Sequence, residues 1–439
     1  MAGSRRRALL VGGMWAVAIG AVALIYWRLE PGGDDGRTRT VDDAPVYRAG
    51  EDVVEGPSRA ELDVEADAPS PRFYRGGRRN TGRSDLRGPA SVRRVWRHFV
   101  GGRITAQPVV APDGTIYVGA HDEQLHALTP EGEARWTAPA HARIWSAAVV
   151  LDDGAVLVGS DADALFAFTP EGETRWRIRL EGDADGPVAI APDGSLRFAA
   201  GNRLHAASVD GEVAWAFEAA GPFLLSSPAI DADGTAYLGS IDDHLYAVAP
   251  DGRQRWAYRT EGDVSSSPVL GDDGTIFVGS DDEHVHAVTR DGERRWRTDL
   301  DGFVRAPVAL GRRGDVVAAV YGPDPRVVSL DAETGEIRWS FPVTRSDSAE
   351  LGVASGPLVD AEGSVYFGSH DDFVYALSAD GALRWIHEVE GDVDSAPILA
   401  ADGLLLIGSD DGHLYALGEG EPEVDAGAPD AGAPGERLE

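Results

Sequence analysis

The chain has 439 residues and contains neither cysteine nor lysine, so all 40 of its basic residues are arginine. These absences exclude disulfides, thiolate nucleophiles, covalent haem attachment, a lipid-modified cysteine and lysine Schiff bases. Positive charge is also outnumbered: 73 acidic residues leave a net charge of −33. A surface of that sign lacks the basic footprint that phosphate contact requires, so no nucleic-acid partner is expected.

What the chain has is a repeat. A turn glycine recurs at Gly114, Gly154, Gly194, Gly234, Gly274, Gly314, Gly363 and Gly403, at intervals of 40, 40, 40, 40, 40, 49 and 40 residues. Tryptophan recurs with it, at Trp96, Trp136, Trp176, Trp215, Trp256, Trp296, Trp339 and Trp385. The phrase is clearest at 264–303, VSSSPVLGDDGTIFVGSDDEHVHAVTRDGERRWRTDLDGF. It reads as four short strands: SSPVL, TIFVGS, HVHAV and ERRWRT. Asp-Gly pairs such as Asp113-Gly114 supply the positive φ of tight hairpins, and the period-two alternation favours strands over helices. Four-stranded units at this period are propeller blades.

Counting strands gives a closure rule. The last unit stops at Gly418 with three strands and no tryptophan, while a lone tryptophan strand around Trp96 precedes the first full unit. Seven whole blades and one split blade predict an all-β, eight-bladed propeller of four-stranded antiparallel blades, its last blade completed by the N-terminal strand. Closure of that kind leaves no open sheet edge. The eight tryptophans are then blade-docking residues.

The phrase Leu330-Asp331-Ala332-Glu333-Thr334-Gly335-Glu336-Ile337-Arg338-Trp339 resembles the PQQ-type propeller repeat, and FYRGGRRNTGRSDLRGP at 73–89 is similar to the segment that opens many such proteins. The resemblance covers 72–418 and implies that fold. It leaves activity open, because the family holds quinone dehydrogenases beside non-enzymatic propellers of the BamB type. The dehydrogenases use a vicinal cysteine pair over the cofactor and a calcium-ligand set, neither of which is matched here.

Arg5, Arg6 and Arg7 precede an uncharged run from Ala8 to Trp27. Its 20 residues are enough to span a bilayer, with the arginines held cytoplasmic. Residues 1–28 therefore read as a signal anchor, a transmembrane helix that places the propeller in the periplasm. The alternative is a secreted protein cleaved at Ala21-Val22-Ala23. Residues 29–71 and 419–439 are acidic and rich in glycine and proline, and read as a disordered linker and tail. The basic stretch from Arg72 to Arg103 reads as a strap across an acidic ring, its arginines paired within the molecule. Contact with anionic headgroups or an acidic partner is the functional alternative.

In a four-stranded blade, the loop leading into the first strand and the loop joining the second and third open on one face. Asp183, Asp263 and Asp392 fall in the first kind of loop. Asp122, Asp242, Asp282, Asp371 and Asp411 fall in the second, beside His121, His244, His284, His370 and His413. Such carboxylates and imidazoles suit a hard cation or a basic partner segment. Turn chemistry is the plainer reading, with each aspartate bonding its own backbone, so neither metal nor any cofactor is expected. His126, His205 and His286 share an interchangeable aromatic slot with Tyr246, Tyr375, Tyr415 and Phe166, which indicates packing. Trp145 has no counterpart in other units and is the candidate ligand-contacting aromatic, near His141 and Arg143.

The insertion PVTRSDSAELGVAS at 342–355 breaks the repeat and carries Arg345; loops of that kind often hold specificity. The candidate ligand- or partner-binding set is thus Trp145, His141, Arg143, His121, His370, Asp183, Asp263, Asp392 and Arg345, with no catalytic residue. The function expected is a monomeric, non-catalytic envelope propeller, held in the inner membrane by residues 8–27, that serves as a platform for an envelope protein or a cell-wall component. The alternatives are a quinone-dependent dehydrogenase and a propeller that senses a solute or glycan.

Overall fold

The computed structural model of the chain describes residues 38–39, 44–50, 69–343 and 352–420. Eight sheets are present, each built on four antiparallel strands. Blade 5 is typical: Val269–Leu270 innermost, then Ile276–Gly279, His284–Val288 and the outer strand Arg294–Asp299. The short innermost strands are flanked by paired small and hydroxylated residues that bond from blade to blade. Ser266 Oγ donates to the Ala306 carbonyl (3.2 Å), Ser355 Oγ to that of Ser395 (2.8 Å) and Ser395 Oγ to that of Ala106 (2.9 Å). These bonds satisfy buried polar groups that the narrow hub would otherwise strand.

Between blades the core is a repeated aromatic joint. Seven of the eight docking indoles lie on the glycine of the next blade's outer turn and donate Nε1–H to a carbonyl there. Trp136 reaches Pro170 O at 2.8 Å, Trp256 reaches Arg290 O at 2.8 Å, and Trp96 reaches Pro130 O at 3.0 Å. A β-carbon at Gly172 would sit 2.7 Å from the Trp136 ring, so this place admits only glycine. The indole buries its ring and satisfies its single donor in one arrangement.

Blade 8 combines Ile398–Leu399, Leu405–Gly408 and His413–Gly418 with Arg93–Phe99, the N-terminal strand, which pairs antiparallel to His413–Gly418. The count and the closing strand are as the sequence predicts.

The basic strap does more than lie across the ring. It closes the hub on the face of the Asp-Gly turns. Carbonyls of Pro71, Arg72, Arg78, Arg79, Thr81 and Gly82 accept the backbone N–H of Val110, Val150, Ile230, Leu270, Leu310 and Val359, which belong to the innermost strands of blades 1, 2, 4, 5, 6 and 7. Arg75 is only 3% exposed. Its guanidinium donates to Val308 O (2.5 Å) and Asn80 O (3.4 Å). Asn80 in turn donates to the carbonyls of Ser227, Pro228 and Pro268. Further out the strap pairs with turn acids, Arg72 with Asp152 at 2.5 Å and Arg79 with Asp272 at 2.6 Å.

The linker reading needs correction, because Thr38–Arg39 and Val46–Arg48 are strands. Val46–Arg48 forms a fifth strand on blade 3, parallel to the outer strand Val213–Glu218. The cause is local. Six outer strands carry arginine before their tryptophan, and several of those arginines pair with turn acids, as Arg295 does with Asp273. Blade 3 has Ala214 there, which leaves an uncharged edge where Tyr47 and Ala49 pack on the cluster that holds Trp215. Among the described residues no helix is long and apolar enough to cross a membrane. The expected anchor at 8–27 lies outside the described residues, as does Arg345.

Candidate functional site at the channel mouth

The two loop classes do meet on one face. Asp281 N–H donates to Asp263 O (2.8 Å), His370 to Gly352 O (3.2 Å) and Asp410 to Asp392 O (2.9 Å). Most lead-in loops hold a three-residue pattern whose middle side chain is a buried wedge. Ile144, Ala184, Val264, Val304 and Val393 are such wedges. At four places the third residue of the pattern meets the first residue of the preceding blade's second-to-third loop, which makes four junctions at the mouth. They are His121 with Trp145, Asp161 with Asp185, Asp281 with Arg305, and His370 with Asp394, while Thr105 Oγ1 lies 3.2 Å from His121 Nε2.

These junctions differ in chemistry. Arg305 forks onto Asp281, with Nε to Oδ1 at 2.9 Å and Nη2 to Oδ2 at 2.7 Å, and stacks over Phe303 (4.7 Å) and Tyr321 (5.1 Å). His370 Nε2 lies 2.5 Å from Asp394 Oδ1. The rings of His121 and Trp145 are 4.2 Å apart, and Trp145 Nε1 donates to Asp161 Oδ2 at 3.1 Å. Burial, reinforced by the charges of Arg143 and Arg103, lowers the His121 imidazole to about 4.

Between blades 2 and 3 three acids gather. Carboxylate oxygens of Asp161, Asp183 and Asp185 all lie within 4.8 Å of one another. Burial first, then the neighbouring charges of Asp161 and Asp163, raises Asp183 to about 6. Burial, a bond to Asp161 and the charges of Asp161 and Asp183 push the more deeply buried Asp185 well above the carboxylate range. Across the mouth, burial and the charge of Asp394 raise Asp410 to about 7, although Arg103 bonds it at 2.6 Å.

Of the residues singled out from sequence, Trp145, His121, His370 and Asp183 sit in this ring of contacts. His141 is exposed, with φ of 65°, beside Phe166 (5.9 Å). Arg143 lends its carbonyl to Asp161 N–H (3.1 Å). Asp263 and Asp392 contribute backbone carbonyls in the same way. The second aspartate of each inter-strand loop turns back into its own blade to hold the aromatic slot: Asp122 accepts from His126 (2.9 Å), Asp242 from Tyr246 (2.8 Å) and Asp282 from His286 (3.0 Å). His244 and His284 Nδ1 donate to the carbonyls of Asp242 (2.7 Å) and Asp282 (2.6 Å). Those residues are loop chemistry. The acids and arginine of the mouth, Asp161, Asp185, Asp281, Arg305, Asp394 and Asp410, escaped the sequence reading. Their signal was the residue one place after each wedge and the residue one place before each repeated loop aspartate.

A family model described as outer membrane protein assembly factor BamB matches residues 129–258 and 200–421. The chain belongs to that family. No curated protein sequence matches it. Among solved structures, BamB from Moraxella catarrhalis superposes with a TM-score of 0.62 at 17% identity, covering 74% of this chain and 97% of that one. A europium-containing methanol dehydrogenase gives 0.67 at 13% identity, over 80% and 98%. The quinohemoprotein alcohol dehydrogenase from Comamonas testosteroni gives 0.69 at 16%, over 83% and 84%. At such identities these likenesses describe the fold, which this BamB-type chain shares with enzymes.

Proposed function

We propose that the chain is a non-catalytic envelope propeller that serves as a platform for a protein partner, anchored by residues 8–27 with its ring outside the cytoplasm. The observation that carries this reading is the hub. Residues 71–82 bond the innermost strands of six blades and set Arg75 and Asn80 between them, so one end of the channel is filled by the chain itself. The other end displays the junction residues in loops between blades, a surface held by a rigid ring.

The residues do not fit the quinone of the related dehydrogenases. The vicinal cysteine pair those enzymes place over the cofactor has no equivalent in a chain with no cysteine. The sensor reading finds the Trp145 indole already engaged by His121 on its ring and by Asp161 on its nitrogen.

Crosslinking in intact cells tests the platform. One defined envelope protein should be recovered with the wild-type chain and lost when mouth residues are replaced. Quinone absorbance that co-elutes with the protein, together with dye reduction after mixing with the quinone and calcium, would overturn it.

A further inference from the structure

The four junctions join equivalent positions of neighbouring blades, so they can be compared as variants of a single site. Where charge enters, it is paired: Asp281 with Arg305 between blades 5 and 6, and His370 with Asp394 between blades 7 and 8. The junction between blades 2 and 3 alone sets acid against acid, Asp161 against Asp185, and adds Asp183. No arginine or histidine of the described residues forms an ion pair with any of the three. Asp185 Oδ1 is shielded from solvent and meets no donor. A shielded carboxylate oxygen without a donor costs on the order of 1–3 kcal/mol, more when charged, so the place is incomplete as it stands. A second such oxygen lies in the same mouth: Asp410, with its side chain 7% exposed, bonds Arg103 through Oδ2 and leaves Oδ1 without a donor. The His121 imidazole feels the charges of both Asp161 and Asp394, so the two acidic groups flank one aromatic pair.

We infer that the Asp161–Asp183–Asp185 junction is a seat for a guanidinium group delivered by a partner polypeptide. The inference rests on the platform reading and names the chemistry of its partner. Arg305 supplies the precedent, since at the equivalent junction a guanidinium forks onto the loop aspartate while its plane covers aromatic rings. At the Asp161–Asp185 junction the two carboxylates offer the acceptors, and the packed pair of Trp145 and His121 borders them. A planar fork with several donors matches this set better than a compact ammonium does. With no cation in place, a proton held on Asp185 relieves the repulsion from its neighbours, and an arriving guanidinium displaces it.

The test is titration of the full chain with a tri-arginine peptide at neutral pH, in two buffers of different ionisation enthalpy, with tri-lysine and calcium chloride as separate arms. Tri-arginine should bind with release of a proton and outcompete tri-lysine. Asp185→Asn should weaken it about tenfold, the loss of one charged hydrogen bond. Asp113→Asn, in a turn on the opposite face, should leave it unchanged. If Asp185→Asn fails to fold, the exposed Asp183→Asn takes its place. Equal affinity in the variant, no tri-arginine binding to the folded chain, or displacement of the peptide by calcium would overturn the seat. The platform reading fails separately. A partner crosslinked equally by wild type and Asp185→Asn keeps the platform and removes the seat, whereas quinone binding with dye reduction removes the platform itself.

Discussion

The indole of Trp385 donates to the carbonyl of Pro89 at 2.9 Å, across 296 residues of sequence. In the other seven joints the acceptor is a turn of the following blade, for example Ala379 for Trp339 at 3.1 Å. Blade 8 is assembled from both ends of the repeat region and has no such turn, so the segment leading to the N-terminal strand supplies the acceptor. Gly88 N–H donates to Asp360 Oδ2 (3.1 Å) and Tyr366 Oη to the same carboxylate (3.2 Å), which fixes the carbonyl in place. Ring closure therefore includes a side-chain joint as well as a strand pairing.

Trp385→Phe should lower stability by about 1 kcal/mol, the value of one hydrogen bond, and Trp385→Ala by roughly 3–5 kcal/mol because it also empties the joint. Urea melting would measure both. Removing residues 1–102 deletes the strand, the carbonyl and the hub plug together, and the cooperative transition should be lost. A melting curve unchanged by that truncation would refute the closure.

Arg75→Met keeps the volume of the plug but removes the donors that meet Val308 O and Asn80 O. Burial already lowers the guanidinium to about 10, so at neutral pH the residue is still charged and its carbonyl partners matter. The variant should lose about 2–3 kcal/mol and become cleavable within 69–86 by added protease. Mouth binding should persist, since the plug lies on the opposite face.

His205 is 1% exposed, stacks on Phe198 at 5.2 Å, and has no hydrogen-bond partner at either ring nitrogen. Blade 3 lacks the loop aspartate that serves this slot elsewhere. Burial, and then the charge of Arg203, holds the imidazole down to about 3. The unfolded imidazole takes a proton near pH 6.5, so stability is complete above that value and falls as pH drops toward the folded value. His205→Phe, which copies Phe166 of blade 2, should melt at least as high as wild type at pH 7 and lose much less between pH 6.5 and 4.

Asp185 gives the opposite slope. Its native carboxyl keeps a proton that the unfolded one releases near pH 4, so its contribution declines as pH rises through neutrality. Asp185→Asn should match wild type near pH 4 and exceed it by about 1 kcal/mol or more at pH 8. A gain that shrinks with rising pH would contradict the buried acid.

The sequence alone determined the architecture, because every blade repeats its own local grammar: Asp-Gly for the hairpin, period-two strands, tryptophan for the joint. Counting an unfinished last unit against a lone Trp96 strand was enough to close the ring. The repeated loop aspartates were also legible as loop chemistry, since a residue copied into most units serves something every unit needs. Tertiary structure decided what happens where units differ. Nothing local says that Arg75 enters the hub, that Ala214 admits Val46–Arg48, or that Asp161 and Asp185 share a junction. Each is a contact between residues placed together only by the curvature of the closed ring, and its energy depends on burial and on neighbouring charge that a linear pattern does not contain.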